Sequence, residues 1–85
     1  MRIDKFLNSV NLTKRRAIAQ DMLKNGVVKL DGIVAKASKE VKVGSKIELI
    51  YLNGSKYYEV LEIPKTKTIP KSTQEIYVKE LSNGI

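Results

Sequence analysis

The segment Thr13-Lys14-Arg15-Arg16-Ala17-Ile18-Ala19-Gln20-Asp21-Met22-Leu23-Lys24-Asn25-Gly26 has the outline of one short helix with a marked beginning and end. Thr13 offers a side-chain oxygen of the kind that caps a helix N-terminus. Ile18, Met22 and Leu23 with Ala19 form an apolar stripe, and Gly26 suits the left-handed position that closes helices. The spacing therefore predicts a helix from Lys14 to Asn25. A helix N-terminus already carries partial positive charge and unpaired N–H groups. Each cation there is unfavourable by a few tenths to about 1 kcal/mol unless an anion lies nearby. As helical residues, Lys14, Arg15 and Arg16 would spread over roughly 200°, so one or two of them would reach a phosphate backbone. The bland alternative is a solvated helix end that keeps a small protein soluble.

Working outward, Ile3, Phe6, Leu7 and Val10 recur at helical spacing and predict a helix over 2–10, with a sharp turn at 11–13. Beyond Gly26 the period changes to two. Val27 to Leu30 and Ile33 to Ala35 flank Asp31-Gly32, a strong signal for a two-residue hairpin turn. Lys36 to Val43 has no firm period and carries Lys36, Lys39 and Lys42, so it reads as a basic loop closing at Gly44. Lys46–Leu52 and Tyr57–Ile63 read as two further strands joined at Asn53-Gly54. Pro64 to Thr73, with two prolines and three threonines, reads as a linker or poorly ordered loop. Gln74 to Leu81 fits either a docking strand or a short helix.

Eighty-five residues suffice for one small core. The net charge is +7, which favours a polyanionic partner and opposes self-association. That charge is concentrated: Met1 to Ile47 holds 11 basic and 4 acidic residues, whereas Glu48 to Ile85 holds 5 of each. The partner is therefore expected to meet the N-terminal half. The absence of Cys rules out a disulfide framework and a thiolate metal site. No apolar stretch is long enough for a membrane span or a secretory leader, so a cytoplasmic protein is expected.

Catalysis finds little support. The chain has no His and no Cys, and its acidic residues are scattered through helix and strand patterns. Five glycines sit singly at turns, so no phosphate-cradling glycine-rich loop is present. No catalytic residue, cofactor or metal ligand is assigned. Asp4 has two readings, an acid favourable to a helix N-terminus or an acceptor that orients Arg2, Lys5 or Arg16. Tyr51, Tyr57, Tyr58 and Tyr77 all lie in the neutral half, which argues against a base-stacking platform within the basic segment.

Arg2-Ile3-Asp4-Lys5-Phe6-Leu7, Lys14-Arg15-Arg16-Ala17, Gly26-Val27-Val28, Asp31-Gly32, Ala35-Lys36-Ala37-Ser38 and Val43-Gly44-Ser45 resemble, in order and spacing, the RNA-binding domain named after small-subunit ribosomal protein S-four. The match covers about Met1 to Ile50. Within that family the short stand-alone form resembles the RqcP-like branch, related to a ribosome-binding bacterial heat-shock protein. The resemblance implies an α+β fold, two or three short helices packed on a small, mostly antiparallel sheet, with the αL RNA-binding motif holding structured RNA. The pattern of elements bounds a domain of this type at 1–63, with 64–85 as linker and C-terminal tail, either free or docked on the domain.

Carried over residue by residue, Arg2, Asp4, Lys14, Arg15 and Arg16 match the motif's polar positions, and Lys36 and Ser38 match its loop. Lys5 and Lys39 extend the same basic face. Asn11 stands where relatives often carry a basic residue. The branch implies binding to rRNA and peptidyl-tRNA on large ribosomal subunits with obstructed nascent chains, in support of C-terminal tailing by an RqcH-type factor. A monomer with no membrane attachment is expected. Two alternatives are a ribosome-assembly or RNA-regulatory factor, and a protein-interaction module that adds a partner strand to an edge of the second hairpin.

Overall fold

The computed structural model describes residues 1–81, so the last four residues of the expected 64–85 tail lie outside the described residues. Among those described, three short α-helices, α1 (Ile3–Ser9), α2 (Arg16–Lys24) and α3 (Gln74–Tyr77), accompany one five-stranded sheet. Its strands are β1 (Val28–Leu30), β2 (Ile33–Val34), β3 (Lys46–Tyr51), β4 (Gly54–Val60) and β5 (Val78–Leu81). They lie in the order β2-β1-β3-β4-β5, and every neighbouring pair is antiparallel. This is the expected α+β class.

The core follows from the two periodicities. Ile3, Phe6, Leu7 and Val10 from α1 and its C-terminus meet Ala19 and Leu23 of α2. Val28, Leu30, Ile47, Leu49, Val60 and Val78 complete it from the sheet. In β3 the buried Ile47 and Leu49 alternate with more exposed neighbours, as a sheet packed on one face requires. The intervening positions pair charges across strands: Lys29 stands opposite Glu48, Lys46 opposite Glu59, and Glu59 opposite Lys79.

Both longer helices end in the same way. Gly26 has φ +71°; its N–H bonds to the Leu23 carbonyl at 3.2 Å, and the Val27 N–H bonds to the Met22 carbonyl at 3.2 Å. Asn11 has φ +62°; its N–H bonds to the Asn8 carbonyl at 3.0 Å, and the Leu12 N–H bonds to the Leu7 carbonyl at 2.9 Å. These paired bonds are the Schellman closure, which needs a left-handed residue, and Asn is a common substitute for Gly there. The Asp31-Gly32 turn also has positive φ at both residues, as its hairpin type demands.

Several local expectations need correction. The second helix begins at Arg16, with Arg15 extended at the cap position and no side-chain cap. Thr13 is buried and turns its hydroxyl to donate to the Arg15 carbonyl at 3.2 Å, so the threonine ties the connecting turn instead of capping the helix. Lys14 and Arg15 are therefore turn residues, and of the three cations Arg16 alone lies on the helix, so the expected 200° spread does not arise. Ile18, placed on the buried stripe, is 42% exposed, because the later helix start and the position of α1 turn Ala19 and Leu23 inward instead. β4 starts at Gly54 and ends at Val60, three residues earlier than expected at each end; Tyr51 pairs with Gly54, which leaves Leu52-Asn53 as the turn.

The second hairpin has no free edge: β3 lies between β1 and β4, and β4 lies between β3 and β5. This removes the edge on which the strand-addition alternative depended. β5 covers it because Gln74 to Leu81 is both of its expected forms in succession, one helical turn and then a strand. Residues 64–73 cross the C-terminal end of α1. Ile69 is buried there, its N–H bonds to the Ser9 carbonyl at 3.0 Å, and its carbonyl accepts from Asn11 Nδ2 at 2.8 Å. Ser9 Oγ donates to the Lys67 carbonyl at 2.6 Å, and Gln74 Nε2 donates to the Val10 carbonyl at 2.7 Å.

Candidate nucleic-acid interface

A carboxylate with no exposure to solvent lies at the start of α1. Asp4 Oδ2 accepts from Arg2 Nη2, Arg16 Nη2 and Gln20 Nε2, each at 3.2 Å, and its Oδ1 accepts the Lys5 N–H at 2.8 Å. Burial pushes this carboxyl up, but the hydrogen bonds from Gln20, Arg16 and the Lys5 N–H, with the charge of Arg16, outweigh it and hold Asp4 below the ordinary carboxylate range. It is therefore an anion near neutral pH, buried where an unpaired charge would be very costly. Its partners are its justification.

The arginines it holds remain available. The side chains of Arg2 and Arg16 are 51% and 46% exposed. Each guanidinium carries five N–H donors in a fixed fork, and one from each reaches Asp4. A planar cation with spare donors, fixed from behind by a buried acid, suits a phosphate better than a free lysine does, because less side-chain freedom is lost on binding. The acid also explains why Arg16 is tolerated in the first turn of α2, where no acidic residue and no side-chain cap is present. The anion that the sequence seemed to lack is 12 residues upstream.

The loop after the first hairpin joins this cluster through the backbone. The Ile3 N–H bonds to the Lys39 carbonyl at 2.8 Å and the Asp4 N–H to the Ala37 carbonyl at 3.3 Å, so the start of α1 is capped by the loop. Arg2 and Glu40 form an isolated antiparallel bridge, and the Met1 ammonium pairs with the Glu40 carboxylate. Lys36, Ser38 and Lys39 are exposed beside that junction.

Arg2, Asp4, Arg16, Lys36, Ser38 and Lys39 are thus brought together by one buried carboxylate and two backbone bonds. Lys5 is exposed on α1 and contributes its N–H, not its ammonium, to Asp4. Among the described residues, Lys14 and Arg15 make no side-chain bond to the cluster; they are exposed in the turn before α2 and flank a shallow concavity with Ile18 and Met22. Of the two readings of Asp4, the orienting one describes Arg2 and Arg16. Sequence reasoning missed Gln20, although it stands four residues after Arg16 on the same helical face. It also missed Asn11, whose place in the fold is structural. Among the described residues no group of acids could hold a metal ion, and no helix is long and apolar enough to cross a membrane.

Comparison with known proteins places this geometry. The sequence model of the S4 domain matches residues 1–47, the stretch that contains every residue of the cluster. The RQC P-site tRNA stabilizing factor of Helicobacter pylori strain 26695 is 53% identical over 78 residues, covering 92% of this chain and 93% of that protein. The protein of the same name from Streptococcus pneumoniae is 36% identical over 63 residues, covering 74% and 72%. Among solved structures, the trimeric structure of Vibrio cholerae heat shock protein 15 superposes with a TM-score of 0.87 at 26% identity, covering 99% of this chain and 84% of the other. The solution structure of the hypothetical protein HP1423 superposes with a TM-score of 0.84 at 49% identity, covering 98% and 99%. With more than half its length matched by that sequence model and relatives aligned almost end to end, the chain belongs to the S4-domain family.

Proposed function

We propose that this protein binds RNA on the large ribosomal subunit, gripping rRNA and peptidyl-tRNA backbones, and that it serves quality control of obstructed nascent chains. The observation that carries the reading is the Asp4 cluster: a buried acid that fixes two half-exposed arginines beside a lysine-bearing loop. The site comprises Arg2, Arg16, Lys36, Ser38 and Lys39 with Asp4 as the positioning acid, flanked by Lys5, Lys14 and Arg15. Relatives aligned over most of their length bear the name RQC P-site tRNA stabilizing factor, which supports the choice of ligand. In this reading the protein has no turnover of its own: by holding the tRNA it assists an RqcH-type factor that extends the stalled chain. It works in the cytoplasm and as a monomer, its charge of +7 opposing self-association. Residues 1–63 are the RNA-binding unit, on which residues 67–81 of the tail dock.

The test is co-sedimentation of the protein with large subunits that carry or lack peptidyl-tRNA, across a salt series. Preference for the loaded subunits is expected. If about five phosphates are neutralised on irregular RNA, the slope of log K against log salt should be near −3 to −4. Equal binding to both kinds of subunit would favour an assembly factor.

A further inference from the structure

Among the described residues, the first hairpin presents apolar surface that nothing covers. β2 is an edge strand, and Ile33 is 73% exposed and Val34 53% exposed. Exposed edges usually carry charges that discourage association, whereas this one carries two consecutive β-branched residues. They line an open groove of about 510 Å³ between the hairpin and the loop after it, within the range of roughly 300–1,000 Å³ typical of small-ligand sites. Ala35 forms part of the lining, with Ser38 and the stems of Lys36 and Lys39 across from the strand. The same loop caps α1 through the Lys39 and Ala37 carbonyls, so the groove opens beside the Arg2–Asp4–Arg16 cluster.

The geometry points to this groove as the seat of one unstacked nucleobase of the RNA whose phosphates the cluster holds, an inference that rests on the proposed RNA grip. Three features select that occupant. Leu30, Ile33, Val34 and Ala35 form an apolar wall and Ser38 adds a hydroxyl, which suits a flat heterocycle with polar edges. Asp31 and Glu40 share the lining with the two lysines, so the groove as a whole is a poor phosphate site, yet it offers acceptors to base N–H groups. A partner β-strand fits less well, since β2 has only two residues to pair with it. A phosphate held by Lys36, Lys39 or Arg2 would bring its own base within reach of the groove.

The test uses the full chain and large subunits loaded with peptidyl-tRNA, comparing wild type, Ile33→Thr, Ile33→Leu and Arg16→Ala over a salt series, with base-specific chemical probing of the bound RNA. Threonine keeps the β-branch, so the strand is retained while the apolar platform shrinks. Ile33→Thr is expected to weaken binding about fivefold, the scale set by removing about one buried methylene from the contact. The salt slope should not change, and one base protected by wild type should become reactive. Ile33→Leu should bind and protect as wild type does. Unchanged affinity of Ile33→Thr alongside weakened Arg16→Ala would discard the groove and leave the RNA grip standing. Unchanged affinity of Arg16→Ala would overturn both. Weakened Ile33→Thr binding with no base changing reactivity would assign the groove to a protein of the subunit and overturn the nucleobase.

Discussion

Residues 1–47 and residues 48–81 use polar side chains in opposite ways. In the first region the principal network gathers cations: Asp4 is buried so that Arg2 and Arg16 are held yet half exposed. In the second, the long-range polar bonds fasten the chain to itself, as when Gln74 reaches back 64 residues to the Val10 carbonyl. The charges there balance and face each other across strands, Glu59 opposite Lys79. Two fastening side chains, Ser9 and Asn11, nevertheless belong to the first region, so the division is between the two ends of α1 and not only along the sequence. α1 is the element on which both act, one at each end.

The largest effect that would break this contrast is expected at Asp4. Asp4→Asn keeps the volume but removes the charge and one acceptor, leaving the cations unneutralised; unfolding free energy should fall by about 2 kcal/mol, and RNA binding should weaken more than on removal of either arginine alone. Denaturant unfolding together with large-subunit binding measures both, and an unchanged affinity would show that Asp4 is purely structural. Arg16→Ala comes next. Binding should weaken by about tenfold and the salt slope should flatten by about one unit, with stability falling by about 1 kcal/mol because the buried Asp4 carboxylate loses one charged donor. An unchanged slope removes Arg16 from the interface.

On the fastening side, Gln74→Ala should lower stability by about 1 kcal/mol and leave the salt slope as it was; a changed slope would mean that the two regions are not separable. The smallest effect is in acid. Because the Asp4 pKa is lowered in the fold, the unfolded chain binds the extra proton first, so its contribution to stability is complete above the ordinary value of 3.8 and is lost as pH falls through the folded value. Unfolding midpoints between pH 5 and 2 should show that loss in wild type and a shallower one in Asp4→Asn.

What the sequence reveals follows the range of the interactions. Gly26 as the closure of α2 and Asp31-Gly32 as the hairpin turn are local, set by backbone angles that few residues tolerate, and both stand where expected. The start of α2 is local too, but a threonine hydroxyl can serve a helix N–H or a nearby carbonyl, and here it serves the Arg15 carbonyl. The expected stripe assumed that Ile18 faces the core, whereas the inward face was chosen by how α1 crosses α2. Of the cluster, the cations were legible as residues, and the acid was legible only as one of two readings. Gln20 was not, since its bond to Asp4 spans 16 positions and exists only once two helices pack. The 64–73 stretch lacks apolar period because its attachment uses hydroxyl, amide and carbonyl groups.

A seven-residue helix is too short to persist alone, and α1 survives because it is riveted at both ends. Its first N–H groups are bolted to the Ala37 and Lys39 carbonyls, and its last turn to Lys67, Ile69 and Gln74. Mechanically it is a beam about 10 Å long, and under the proposed RNA grip the load would enter at the Arg2 end. A pull on a phosphate held at Arg2 would travel down that beam into the crossing segment 64–73 and the sheet beyond it. Peeling α1 away would require both sets of rivets to shear together, so the grip should resist tension without creeping and then release in a single step.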